Sequence, residues 1–190
     1  MRHVYVGFSS PRQWFQPFSW LIRKWQATQY SHVFVIFPAQ FLEGLSETHL
    51  ICEAAHGSVR TVAAKFFFPN VKIWTLYKIQ IDDATFRKSF GVGASYLGAH
   101  YSLRENAGIV LADWLRLKRN PLGEGSVGQK CSETTFYILQ ALGFNFDSAL
   151  DPDLIDPKNI EQTLFEMAQG HPAISFITGP EASDLDLMYI

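Results

Sequence analysis

The run Tyr30-Ser31-His32-Val33-Phe34-Val35-Ile36-Phe37 constrains this chain more than any other stretch. Its last five residues are all apolar and mostly β-branched, and it lies between the polar loop Thr28-Gln29-Tyr30-Ser31 and Pro38, so it reads as a buried strand. His32 stands at the head of that strand.

A second stretch, Gln129 to Leu139, follows a glycine-rich loop (Gly123, Gly125, Gly128) and reads as a helix. Phe136, Leu139 and Leu142 recur at helical spacing, and Gly143 suits the C-terminal cap. Cys131 then falls in the first turn, where unpaired backbone N–H groups and the positive end of the helix dipole stabilise a thiolate. Free cysteines are among the most buried residue types, so the competing reading is that Cys131 only packs. His32 shifts the balance, because a cysteine at a helix N-terminus facing a histidine on a neighbouring strand is an arrangement in which base activates nucleophile.

The other strand with chemical content is His49-Leu50-Ile51-Cys52-Glu53-Ala54-Ala55-His56, with Gly57 as turn residue. Alternate side chains share a face, so Ile51, Glu53 and Ala55 point one way and Leu50, Cys52 and Ala54 the other. A carboxylate in so apolar a strand needs a partner, which makes Glu53 either a site residue or half of a buried pair. Cys52 is expected to point away from it into packing.

The remaining chain fills in around these segments. Residues 3–8 predict a short strand ending at Ser9-Ser10-Pro11, and Phe18, Leu21, Ile22 and Trp25 an amphipathic helix over 12–27. Val59 to Val62 and Val71 to Ile81 predict two more strands, and Asp82-Asp83 can cap a helix containing Phe86 and Phe90. Gly91 to Gly98 is glycine-spaced and leads into Ala99-His100-Tyr101-Ser102. Ile109, Leu111, Trp114 and Leu115 suggest a helix over 103–117, and the Asp151-Pro152 and Asp156-Pro157 steps bracket a loop before a last helix over 157–169.

With 190 residues, 47% of them hydrophobic, the chain can bury one substantial core, and the expected organisation is one α+β domain over residues 1–170 with an unplaced tail over 171–190. A net charge of −2 without a basic run gives no electrostatic reason to expect nucleic acid as a partner. Aromatic content of 15% implies a thick core or an apolar groove for a ligand or partner. Two cysteines fit synthesis in a reducing cytosol, although a single bridge between Cys52 and Cys131 would leave no nucleophile. The N-terminus reads as too short and polar for a signal peptide, and no apolar run approaches the ~20 residues needed to span a bilayer.

Ser31-His32-Val33, Glu53-Ala54, Gly98-Ala99-His100-Tyr101 and Cys131-Ser132-Glu133, in that order, resemble the circularly permuted papain-like branch of the NlpC-type cysteine peptidases, which includes YiiX-like and phage-encoded members. The opening Val6-Gly7-Phe8-Ser9 is similar too, so the resemblance covers about the first 145 residues. It implies a permuted papain-like fold, with a central antiparallel sheet packed against helices and the nucleophile at a helix N-terminus. It also implies roles: Cys131 as nucleophile, His32 as general base and then acid, Glu53 as the residue that orients the imidazole, and Tyr101 near the oxyanion site beside the backbone N–H of Cys131. Many relatives carry a Gly-x-Pro-Tyr-Asp segment where this chain has Gly98-Ala99-His100-Tyr101-Ser102.

The activity so implied is a cysteine hydrolase that cleaves an amide through a thioester acyl-enzyme, with peptidoglycan stem peptide as substrate and without cofactor or metal. A phage setting follows from the same resemblance, in lysis or as a virion-associated protein that meets phage structural proteins. The alternatives are a lipid acyltransferase or thioesterase on this fold and a non-catalytic virion assembly or binding module. Among the other histidines His100 is the competitor for His32, while His3, His49, His56 and His171 read as ordinary surface or hydrogen-bonded residues. The His and Cys spacing shows no zinc-ligand pattern.

Overall fold

The computed structural model describes residues 1–12, 16–38, 49–55, 57–122, 128–146 and 152–178. The elements run β1 (Arg2–Pro11), α1 (Pro17–Gln26), β2 (His32–Pro38), β3 (His49–Ala55), β4 (Ser58–Ala63), α2 (Ala64–Phe67) and β5 (Val71–Ile81). There follow α3 (Asp83–Ser95), β6 (His100–Tyr101), α4 (Leu103–Leu115), β7 (Gly128–Gln129), α5 (Cys131–Ala141), α6 (Pro157–Gly170) and β8 (Ile174–Thr178). The fold is α+β. One sheet has the strand order β7-β6-β4-β3-β2-β1-β5-β8, and its pairs are antiparallel except the short β6–β7 pair, which is parallel.

The alternation of β2 explains why a continuous apolar run was needed. Val33, Val35 and Phe37 enter the larger core, with Val4, Val6 and Phe8 of β1, Phe86 of α3, Phe136, Ile138 and Leu139 of α5, and Ile160 and Leu164 of α6. Phe34 and Ile36 face the opposite side and meet Phe67 of α2, Phe68, Ile51 and Leu76. Each such fully buried side chain contributes about 1.5–3 kcal/mol. The Phe34 ring lies over Gly7 of β1, where an added Cβ would come within 2.3 Å of it. Gly7→Val is therefore expected to overpack this face and cost about 1–3 kcal/mol, read as a lower denaturant midpoint; an unchanged midpoint would show that Phe34 can move aside.

Several elements depart from the sequence expectations for local reasons. β1 continues through Ser9-Ser10-Pro11, because a bulge after Phe8 lets Ser9 to Pro11 pair with the start of β5. The indole N–H of Trp74 also donates to Ser10 Oγ at 2.8 Å. α3 runs on through Gly91 and Gly93 rather than stopping, and Gly93 packs where a Cβ would stand 3.3 Å from Cys52 Sγ. Past Gly170, Ile174–Thr178 of the segment the sequence leaves unplaced form β8 against β5, and residues 179–190 lie outside the described residues. α4 ends at Leu115; Ile109 of its apolar stripe is buried, whereas Trp114 and Leu115 are exposed. The 12–27 helix is seen as Pro17–Gln26. Among the described residues no helix is long and apolar enough to cross a membrane.

Candidate active site

β2 opens at His32 because the preceding loop is pinned. Ala27 caps α1 in a left-handed conformation (φ 53°), Thr28 Oγ1 donates to the Tyr30 carbonyl at 2.6 Å, and the Ser31 N–H donates to the Ser9 carbonyl at 3.0 Å. The Ser19 and Ser31 hydroxyls, 2.6 Å apart and buried, tie the loop to α1. These contacts fix where the imidazole leaves the sheet.

Glu53 projects from β3 on the same face as Ile51, opposite to Cys52 and Ala54. Its Oε2 lies 2.7 Å from His32 Nε2, and its Oε1 accepts from Arg60 Nε at 2.9 Å and Arg60 Nη2 at 2.6 Å. Arg60 stands directly across the β3–β4 ladder from Glu53. Burial alone would raise the Glu53 pKa, but His32 and Arg60 together push it down to about 2. The carboxylate is thus a fixed anion with both oxygens engaged.

α5 opens at Cys131, which is only 5% exposed, and its thiol lies close enough to the His32 ring for each to shift the other's pKa. Since Nε2 faces Glu53, Nδ1 is the nitrogen left for the sulfur. Burial opposes both charges, yet each stabilises the other. The thiol pKa is lowered by His32 and by the backbone N–H groups of Val33 and Ser132. The imidazole rises to about 10 under the Cys131 charge, the thiol hydrogen bond and Glu53. Both shifts favour a thiolate–imidazolium pair with a carboxylate behind it.

Tyr101 arrives by a different route. β6 and β7 pair in parallel with Tyr101 opposite Gln129, two residues before Cys131. Asn106 Nδ2 donates to the Tyr101 hydroxyl at 3.1 Å, leaving the phenolic proton free to be donated elsewhere. Burial, and then the Cys131 charge, raises the Tyr101 pKa, so the phenol stays protonated. Tyr101, Cys131, Ser31 and Asn106 line one narrow crevice. Tyr101 and Ser31 also border a cleft of about 600 Å³ that reaches His32, Glu53 and Arg60 and has Ile22, Val62, Phe66 and Phe67 on its apolar side. Ile22, Ser31 and Tyr101 line both cavities, and Cys131 lines the crevice alone.

The structure therefore brings Cys131, His32, Glu53 and Tyr101 into one place. His100 is exposed and lines neither cavity, while His56 lies outside the described residues. His49 is buried beside Tyr5, and His171 Nδ1 accepts from the Ala173 N–H at 3.3 Å on the surface. Both cysteines are free, which removes the bridge, and burial pushes the Cys52 thiol up to about 12. Sequence reading missed Arg60, which the β3–β4 register sets directly across from Glu53. It also missed Lys130, the fully buried residue before Cys131, whose Nζ donates to the Asp153 carbonyl at 2.5 Å. Ser132 Oγ donates to the Ile155 carbonyl at 2.7 Å, so two contacts anchor the opening turn of α5.

The two shifts fix a pH dependence of stability. His32, raised in the fold, contributes fully below its unfolded pKa of about 6.5 and loses that contribution as pH rises toward 10. Cys131, lowered in the fold, contributes fully above its unfolded value of about 8.5 and loses it as pH falls. Above about 8.5 the Cys131 contribution is complete and only the His32 loss remains, so the Tm is expected to fall as pH rises from there toward 10. Thermal unfolding across pH checks this. In Cys131→Ala the alkaline edge should move toward neutral pH, and an unmoved edge would mean that thiolate and imidazole do not share the shift.

Mixed α+β architecture with a cysteine, a histidine and a carboxylate converging at a helix N-terminus is the class that fold and site define. No family model matches the chain, and no curated protein matches it. The fold is similar to that of yiiX from Escherichia coli O157:H7, described as a metalloprotein, DUF1105. The TM-score is 0.53 at 15% sequence identity, over 97% of this chain and 92% of the other. Among the described residues no group of three or more His, Cys, Asp and Glu side chains is placed to hold a metal ion. At the candidate site both Glu53 oxygens already face the cationic groups Arg60 and His32, a donor set unsuited to a further cation.

Proposed function

We propose that the chain is a cysteine hydrolase of permuted papain-like architecture that cleaves an amide bond through a thioester. The observation that carries this is the placement of Cys131 at the start of α5 beside His32 at the start of β2, whose ring Glu53 holds at 2.7 Å. The Cys131 thiolate attacks the carbonyl carbon, and the oxyanion so formed accepts hydrogen bonds from the Cys131 N–H and the Tyr101 hydroxyl. Collapse breaks the carbon–nitrogen bond as His32 Nδ1 gives its proton to the departing amine. Water then adds to the thioester as His32 takes its proton, the tetrahedral adduct expels the Cys131 thiolate by breaking the carbon–sulfur bond, and the acid product departs as a carboxylate after giving its proton to solvent. Glu53 keeps the ring in the required orientation throughout.

The substrate we assign is the peptidoglycan stem peptide, in a phage lytic or virion-associated setting, on the strength of the sequence resemblance. Purified protein should release fragments from muropeptides. Cys131→Ala should abolish release, by a factor of at least about a thousand, whereas Cys52→Ala should leave it within about twofold. Release that survives Cys131→Ala would overturn the proposal. A second reading is favoured by the apolar wall of Ile22, Val62, Phe66 and Phe67 beside His32, namely acyl transfer or thioester hydrolysis on a lipid substrate. Turnover of acyl esters without turnover of muropeptides would decide for it. Labelling of Cys131 no faster than a model thiol at neutral pH would favour a binding module instead.

A further inference from the structure

α4 runs into Asp113-Trp114-Leu115-Arg116-Leu117-Lys118-Arg119, a stretch that belongs to neither core. Trp114 is 78% exposed, and Leu115 and Leu117 are also exposed. Arg116 ends the helix in a left-handed conformation (φ 55°), and the Leu117 N–H returns to the Ala112 carbonyl at 2.8 Å, so the chain turns at the surface. The end of α1 is tied to this point, because Trp25 Nε1 donates to Asp113 Oδ2 at 2.9 Å. Leu21, one helical turn before Trp25, is exposed, as is Trp20 beside it.

Cations are interleaved with these apolar groups: exposed Arg116, Lys118 and Arg119 on the turn, and exposed Lys24 on α1. The acidic groups nearby are Asp113, held by Trp25, and Asp156, which feels the Asp113 charge. For a chain whose net charge is −2, this is a local excess of positive charge. Neither a protein interface core nor a duplex accounts for both components. Interface cores are depleted of charge, and phosphate contacts do not call for exposed tryptophan and leucine. A bilayer surface uses both, with indoles at the headgroup level, leucines at the acyl boundary and cations on lipid phosphates.

We propose that the joined ends of α1 and α4 dock on an anionic lipid bilayer surface, with Trp114, Leu115 and Leu117 in the headgroup region. The same two helices contribute Ile22, Trp25, Asn106 and Ile109 to the crevice over Cys131, so docking sets that crevice at the membrane surface. The attachment does not depend on Cys131 being reactive.

The test is co-sedimentation of the full chain with vesicles of mixed phosphatidylglycerol and phosphatidylcholine, and with pure phosphatidylcholine. Binding to the anionic vesicles, with a blue shift of tryptophan emission and none on the zwitterionic ones, is expected. Both Lys118→Glu/Arg119→Glu and Trp114→Ala/Leu117→Ala should weaken it at least about tenfold, while Cys131 labelling, which reports an intact fold, stays unchanged. No binding to anionic vesicles, binding that survives both double variants, or capture by duplex DNA in place of vesicles would each overturn the proposal.

Discussion

Replacing His32 by alanine is expected to slow alkylation of Cys131 at pH 6 by about a hundredfold, measured with a small haloacetamide in a Cys52→Ala background. Burial works to raise the thiol pKa, and it is lowered against that burial first by the charge and close approach of His32. Without the imidazolium, burial remains and the helix N-terminus must act alone. At pH 6 a thiol of ordinary pKa is about 0.3% ionised, and the greater nucleophilicity of a more basic thiolate recovers only part of that loss. The rate in the variant should then climb with pH through the ordinary thiol range, while in the parent it should stay nearly level. Equal rates at pH 6 would mean that the ring does not govern the sulfur.

Glu53→Ala is expected to be the most destabilising single change at the site. It removes the carboxylate that accepts from Arg60 and faces His32, and it leaves two cations in place of a compensated triad. Breaking a buried ion pair costs about 3–5 kcal/mol, and the lower end applies because the Arg60 side chain is 39% exposed and can turn to water. For a chain of this size that corresponds to a Tm lower by roughly 6–12 °C. Glu53→Gln, which keeps the shape but not the charge, should lose less. The acid limb offers a second readout. With a folded pKa near 2, Glu53 supplies stability that is complete above its unfolded pKa of about 4.3 and is lost as pH falls toward 2. In either variant that limb should flatten, and a loss of less than about 1 kcal/mol in Glu53→Ala would show that the carboxylate is not engaged as described.

Much of the site was legible because its chemistry coincides with strong local signals. The apolar run of β2 declares a buried strand, and the residue heading it is a histidine. Helical spacing ending at Gly143, which takes φ 94°, sets the register of α5 and hence the place of Cys131. Alternation in β3 separates Glu53 from Cys52 without any knowledge of the fold. What was not legible depends on pairings between distant segments. Two-residue strands such as β6 and β7 have no period to detect, yet their pairing delivers Tyr101 to the thiol. Lys130 reads as a surface residue, and only the packing of α5 against residues 152–155 buries it. β8 is likewise defined by the edge that β5 offers rather than by its own five residues. Trp114 and Leu115 fit a helical stripe, but helical spacing alone does not say whether the stripe meets a core or solvent.

Nuclear magnetic resonance of the His32 ring nitrogens across pH is the most direct measurement of the Cys131–His32 pair. The ring should be doubly protonated at pH 8 and lose its proton near pH 10, the value to which its surroundings raise it. In Cys131→Ala the transition should move toward the ordinary histidine range, about 6.5. A ring that is already neutral at pH 7.5 in the unaltered protein would contradict the thiolate–imidazolium pair, and the proposed hydrolase chemistry with it.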